Sequence, residues 1–286
     1  LAIELAAARL RVLSLPALQA VLTNQLAVLT GGPIDVSARH RTLRAAVGWS
    51  YDFLDADTQR LLRELGVFTE SFALEGVRAV CTPAQTQIVD LLESLVDQAL
   101  LMRTDDGPGG QPRFRMLTSI REFALDRLRE SDDEDDVRGR HAAWFLELAE
   151  SLEPSLMGAA QGDAVTLLSR AAPNLRQAFD FLIQQRDQER ALRMVAALYR
   201  YWLIRAQWEE ARAAFVAAFS LGEPQPAVAW GAALRGAAII AETQYDNDTA
   251  LAWNRSAIAI WEELGDPEGI ARSRIDLGNV YNNLGR

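Results

Sequence analysis

The stretch Ile88-Val-Asp-Leu-Leu-Glu-Ser-Leu-Val-Asp-Gln-Ala-Leu-Leu-Met-Arg-Thr-Asp-Asp-Gly-Pro-Gly-Gly-Gln-Pro-Arg-Phe-Arg-Met116 decides the fold. In its first half Ile88, Leu91, Leu92, Leu95 and Val96 recur at the spacing of one apolar helix face, which predicts an amphipathic helix over 85–98. Its second half reads as two short strands, 99–103 and 113–116. Between them, Asp105-Asp-Gly-Pro-Gly-Gly-Gln-Pro112 is dense in residues that set turn geometry. Helices followed by such a hairpin predict a winged helix-turn-helix with its wing tip at 105–112.

Working outward, Leu43, Val47 and Tyr51 recur at spacing four and predict a helix over 41–54. Asp55 is placed to cap the next helix, whose stripe is Leu61, Leu62 and Leu65 and whose end is marked by Gly66. Val67, Phe68 and Phe72 read as an apolar linker, 74–81 as a short helix and 120–128 as a longer one. Two Ala/Leu-rich helices are expected upstream, at 2–13 and 14–29, ended by Thr30-Gly-Gly-Pro33.

The acidic run Asp132-Asp-Glu-Asp-Asp136 reads as a solvated junction. Beyond it, helices are expected at 141–152, ended by Pro154, and at 165–185, bent or divided at Pro173. From 188 onward small residues and aromatics alternate in paired helices: 192–204 with 208–221, 228–242 with 249–264, and 270–284 opening a third pair. Gly236 and Gly278 correspond at matched positions, and Trp208 and Tyr245 each follow a Gln. Small residues let helices approach and large rings fill the gaps between pairs, the logic of an α-solenoid of tetratricopeptide-like repeats. The expected organisation is 1–35, the end of a preceding helical region; 36–130, the winged helix; 131–186, a helical linker; and 187–286, the repeats. The fold class is mainly α with one small β-hairpin. The chain reads as the middle of a longer protein.

Composition narrows the function classes. The 286 residues carry a formal net charge of −10, and all 29 basic residues are arginine. That balance gives no general attraction to nucleic acid. No segment approaches the roughly 20 apolar residues of a membrane span, and a cytoplasmic protein is expected. Cys81 is the single cysteine and cannot form an internal disulfide. His40 and His141 have no Cys or His at ligand spacing, so no metal site is expected. The Gly-rich turns at Gly31-Gly32 and 107–110 lack the Gly-x-x-x-x-Gly-Lys-Ser/Thr framework. Without lysine the chain has no Walker lysine, so no catalysis is expected of it and no cofactor within it. Asp266 in Leu264-Gly-Asp-Pro267 is expected to shape a turn and cap the following helix.

A DNA-reading helix needs exposed Arg, Asn or Gln, and the helix over 85–98 presents Gln85, Gln87, Asp90, Glu93, Ser94, Asp97 and Gln98 with no arginine, its carboxylates facing the phosphate field unfavourably. Arg103, Arg113 and Arg115 on the wing are the opposing signal. On this balance the winged helix is expected to pack within its own protein and to contact no nucleic acid directly. Direct DNA binding is the weaker alternative.

Specific segments carry a resemblance. His40-Arg-Thr-Leu-Arg-Ala-Ala-Val-Gly-Trp-Ser-Tyr-Asp-Phe-Leu54, Leu61-Leu-Arg-Glu-Leu-Gly-Val-Phe68, Phe72-Ala-Leu-Glu75, Leu91–Leu101 and Phe114–Ala124 follow in order. Together they resemble the winged-helix region of bacterial STAND NTPases of the AP-ATPase (NB-ARC-like) type, many of them actinobacterial transcriptional regulators. Leu1-Ala-Ile-Glu-Leu-Ala-Ala-Ala8 is similar to the segment after that family's nucleotide-sensor motif. The resemblance implies a signalling switch: an upstream NTPase domain binding ATP or ADP, an intramolecular partner for the winged helix. The repeats would then act as a sensor arm for a small-molecule or protein inducer. A non-catalytic protein-interaction scaffold is the alternative. Family members place Met-His-Asp at the last strand–helix junction, where the histidine meets the nucleotide. The matching residues here are Met116, Leu117 and Thr118, and Leu117 cannot donate a hydrogen bond. In the repeats, Trp202, Trp208, Tyr245, Trp253 and Trp261 are the candidate stacking or surface residues.

Overall fold

The structure, a computed structural model, describes residues 36–83, 86–104, 110–225 and 227–284. The helices expected at 2–13 and 14–29 lie outside the described residues, as does the wing tip at 105–109. The chain divides into two compact units between His141 and Ala142.

In the first unit α1 (Val36–Asp52) and α2 (Ala56–Leu65) precede β1 (Ser71–Ala73), α3 (Leu74–Val80) and α4 (Ile88–Asp97). Then come β2 (Met102–Thr104), β3 (Arg113–Arg115) and α5 (Thr118–Arg129). The antiparallel sheet has the order β1-β3-β2. Asp55 caps α2 as its position predicts: its carboxylate accepts from the Thr58 N–H at 2.8 Å and the Thr58 hydroxyl at 2.9 Å. The bond from the Thr58 amide holds its pKa below the usual value. Leu61, Leu62 and Leu65 are fully buried.

Two local expectations are corrected. Gly66 ends α2 in the right-handed region, φ −58°, and supplies no left-handed cap. Its role is close approach, since a Cβ there would lie 3.0 Å from both the Arg63 carbonyl and the Leu125 amide of α5. The apolar "linker" holding Phe72 is a strand: Phe72 pairs with Phe114 of β3. Phe68 stacks on Phe72 with ring centroids 4.6 Å apart, and His141 meets the Phe68 edge at 5.3 Å. A three-residue strand is too short to show alternation, so pattern alone does not reveal it.

Glu64 fastens this unit. It sits three residues from Leu61, on the apolar side of α2, and is 2% exposed. Its carboxylate accepts from the Thr82 amide at 2.7 Å and from the Thr82 hydroxyl. Arg140 stands 3.9 Å from the same carboxylate and donates from Nε to the Val80 carbonyl at 2.6 Å. The turn between α3 and α4, which sets the angle of the helix-turn-helix, is thus tied to the core by charge-assisted bonds. Cys81 lies just past the end of α3, in extended conformation. Burial, and then the neighbouring Glu64 charge, push its thiol pKa well up.

The acidic run is the start of a helix. Glu134, Asp135 and Asp136 occupy the first turn of α6 (Glu134–Leu152), where carboxylates meet the positive end of the helix dipole. In the second unit a 3-10 turn (Glu153–Leu156) holds Pro154, and α7 (Gln161–Gln184) runs unbroken through Pro173. Next come α8 (Gln188–Arg205), α9 (Trp208–Phe219), α10 (Val228–Thr243), α11 (Asn247–Leu264) and α12 (Pro267–Asn283). These are the paired helices the sequence predicts.

Four helix junctions share one device. Arg186 (φ 54°), Ala206 (φ 54°), Tyr245 (φ 61°) and Gly265 (φ 68°) are left-handed. After each, the next N–H returns to a carbonyl five residues back: Asp187 to Leu182, Gln207 to Trp202, Asp246 to Ala241 and Asp266 to Trp261. Asp187, Asp246 and Asp266 then cap α8, α11 and α12. Trp208 and Tyr245 are therefore not equivalent: Tyr245 takes the left-handed place held by Ala206, and Trp208 opens a helix.

Between α10 and α12 the indole of Trp261 sits against two glycines. A Cβ on Gly231 or on Gly269 would come within 2.5 Å of the ring. Gly236 packs on Phe215 and Tyr199, whereas its sequence counterpart Gly278 has nothing within 4 Å.

Two stability predictions follow from this packing. Glu64→Ala leaves the Thr82 donors without their acceptor and should cost about 3 kcal/mol by urea unfolding, with Glu64→Gln costing roughly half; an unchanged midpoint for both would refute the clamp. Gly231→Ala gains about 1 kcal/mol of helix propensity but overpacks the Trp261 ring by about 1–3 kcal/mol, so it should destabilise, while Gly278→Ala should stabilise. Equal effects of the two substitutions in thermal melts would contradict the packing.

Candidate functional site

The winged helix presents two surfaces that could meet a partner. On α4, Ile88, Leu92 and Leu95 are buried, which turns Val89, Asp90, Glu93 and Asp97 outward. The exposed face of this second helix of the motif is therefore acidic.

The wing differs. Arg115 pairs across the sheet with Met102, Arg113 with Thr104, and Arg103 with Phe114. Cross-strand partners share a face, so Arg113 and Arg115 stand together and Arg103 lies on the other side with Phe114. Arg113 reaches β1, donating to the Ser71 carbonyl and hydroxyl at 2.9 Å each. Arg103 and Arg115 are exposed. Arg113 thus braces the sheet, and Arg103 and Arg115 are exposed on opposite faces of one hairpin.

The junction residues lie at the end of β3. Met116 is buried, Leu117 is half-buried and Thr118 is exposed. Leu117 occupies the cap position of α5 and Thr118 is the first helical residue, so no side chain caps this helix. The Leu117 carbonyl accepts from the Ile120 and Arg121 amides at 2.9 Å. Arg121 donates from Nε to the Phe68 carbonyl at 2.7 Å, and burial lowers its pKa.

In the helical unit the five aromatic candidates separate. Trp202 and Trp261 are buried, Trp253 is partly buried, Trp208 is 37% exposed and Tyr245 is 81% exposed. Phe219 joins the rows, stacked on Trp230 at 5.3 Å and edge-on to Trp253 at 5.9 Å. A groove of about 770 Å³ opens along α8, α10 and the start of α12, with Leu192, Arg193, Tyr199, Trp230, Arg235 and Trp261 among its walls. Trp261 is the member of the five that lines it, and its buried indole N–H has no hydrogen-bond partner. Arg193 holds Glu150 by two 2.8 Å bonds, which raise the Arg193 pKa, and Arg235 lies 2.6 Å from Asp276. Trp230, Arg235 and the groove itself escape sequence reading, since facing positions on three helices become neighbours only on folding. Among the described residues no group of acids, histidines and cysteine is arranged to hold a metal, and no helix is long and apolar enough to cross a membrane.

Residues 54–129 match the winged helix-turn-helix domain family. Over 290 aligned residues the chain is 32% identical to an HTH-type transcriptional regulator of Mycobacterium tuberculosis, covering 96% of this chain and 32% of that protein; the counterpart in Mycobacterium bovis matches equally. An uncharacterized protein of Mycobacterium tuberculosis is 34% identical over 145 residues, 49% of this chain and 36% of its own length. The chain therefore spans about a third of the length of these relatives. The crystal structure of a STAND protein with a tetratricopeptide repeat sensor from Pyrococcus horikoshii aligns at TM-score 0.30 and 14% identity, over 98% of this chain and 56% of that one, a likeness too slight to argue from. The expectation that this segment contacts no nucleic acid directly does not stand against the domain match and the regulators' names. It let the acidic second helix outweigh the wing arginines, whereas a wing can carry phosphate contacts of its own.

Proposed function

We propose that this chain is the winged-helix and helical-repeat segment of an HTH-type transcriptional regulator, and that its winged helix meets duplex DNA wing-first. The observation that carries the reading is the division of charge on the motif: exposed Arg103 and Arg115 on the hairpin, exposed Asp90, Glu93 and Asp97 on α4. The phosphate field repels the acidic helix and attracts the wing, so the orientation with the hairpin leading is the one electrostatics favours. Such contacts position the protein on the duplex and carry little sequence information. The 32% identity to proteins named as HTH-type transcriptional regulators supports the same reading.

Within the whole protein, the helical unit takes up the signal and the winged helix relays it. The motif order His40–Leu54, Leu61–Phe68 and Phe114–Ala124 favours a further coupling to a nucleotide-binding switch elsewhere in the protein. In that arrangement Met116-Leu117-Thr118 is the junction facing the switch, and the exposed Thr118 hydroxyl is the group able to bond a phosphate there. A scaffold role, holding a protein partner on the repeats, rests on the same helical unit.

Fluorescence anisotropy with a labelled 20-base-pair duplex tests the reading, run from about 50 to 200 mM salt. Binding should weaken steeply with salt. The double variant Arg103→Ala/Arg115→Ala should lower affinity by about tenfold at low salt and reduce the log–log salt slope by about two. Absence of binding at low salt, or equal binding and slope in the double variant, would overturn wing-first docking.

A further inference from the structure

A second cavity lies in the helical unit, between α7, α8 and α9, apart from the larger groove. It holds about 360 Å³, within the range of small-molecule sites. Its walls are apolar and aromatic, with Leu175, Phe179, Leu198, Trp202 and Ala214 among them. Trp202 is 5% exposed and the neighbouring Tyr201 3%, so the rings are fixed by packing.

Three charged groups stand on this lining. Arg176 and Glu210 neutralise each other through two bonds, Nε to Oε1 at 2.6 Å and Nη2 to Oε2 at 2.9 Å. The third, Asp180, is solvent-exposed on the lining, and its carboxylate makes neither an ion pair nor a hydrogen bond with a protein group, so the lining carries a net negative charge. Partial desolvation by the cavity wall raises its pKa. A ligand whose apolar body fills this cavity also covers Asp180 from water, and the carboxylate then needs a cation to complete it. An ammonium group would do so while its hydrophobic body displaced water from the aromatic walls, and a cation near the Trp202 and Tyr201 rings gains further from their faces.

We propose that this cavity is a binding site for a small hydrophobic amine, with Asp180 as its counter-ion and the Phe179–Trp202 walls as its apolar seat. The site deepens the reading of the helical unit as the signal-receiving part, and rests on it for its regulatory meaning. Its ligand chemistry stands on the cavity alone. A neutral molecule of the same shape would cover Asp180 without answering its charge, and an anionic one would be repelled by it, so charge sets the selectivity.

The experiment is calorimetric titration of the whole chain with 4-phenylbutylamine, 4-phenylbutanol and 4-phenylbutyrate, probes of one shape and three charges. The amine should bind at least about tenfold more tightly than the alcohol, and the acid should not bind measurably. Asp180→Asn should erase the preference for the amine while leaving weak binding of both amine and alcohol. Ala214→Phe should fill the cavity and abolish both, with circular dichroism confirming that each variant is folded. Equal binding of the three probes, no binding of any, or an amine preference that survives Asp180→Asn would overturn the proposal. None of these outcomes bears on wing-first DNA docking, because the titration contains no nucleic acid. Loss of DNA binding in turn leaves the amine site untouched.

Discussion

The buried carboxylate of Glu64 is the constraint on which the winged helix depends. Burying a charge is unfavourable unless it is hydrogen-bonded and paired; here the Thr82 amide and hydroxyl donate to it and Arg140 stands 3.9 Å away as its counter-charge. The consequence is geometric. Residue 82 lies in the turn between α3 and α4, so the bond that satisfies the charge also fixes where α4 begins. Arg140 repeats the restraint from the other side by holding the Val80 carbonyl. With the turn fastened, Ile88, Leu92 and Leu95 point into the core and the acidic residues of α4 point out. The electrostatic character of the exposed surface is thus set by an interaction inside.

The sheet supplies the second restraint. Phe72 on β1, Phe114 on β3 and Phe68 before them form one row of rings beneath the hairpin. Arg113 closes the same strand pair from the outside through Ser71. The wing is therefore braced at its base on both faces, with Arg103 and Arg115 exposed on it. A rigid base matters for phosphate contact, because charge on a fixed hairpin positions a duplex at less entropic cost than charge on a loose loop.

Much of this was legible in the sequence, and what was not has physical reasons. Helix spacing gave α4 through Ile88, Leu92 and Leu95, and cap chemistry gave Asp55 and Asp266. The hairpin followed from its turn residues. Strand β1 was hidden because three residues are too few to alternate. Glu64 left a signal that composition alone passes over, an acid three residues from Leu61 on an apolar face. In the helical unit the repeat pattern located α8 to α12, yet it equated Tyr245 with Trp208 and Gly236 with Gly278. Backbone conformation and neighbours separate them: Tyr245 is left-handed, and Gly236 is packed where Gly278 is open. The cavities were illegible because their walls come from helices far apart in sequence.

In the proposed docking the wing, and not α4, leads the approach to DNA. Hydroxyl-radical side-chain footprinting with and without a duplex tests this most directly, since Met102 of β2 and Val89 of α4 are both exposed reporters, at 39% and 40%. Met102 shares a face with Arg115 and should lose reactivity when DNA is present, while Val89 should keep it. Protection of Val89 with Met102 unchanged, or no protection at either residue in the bound state, would contradict the account.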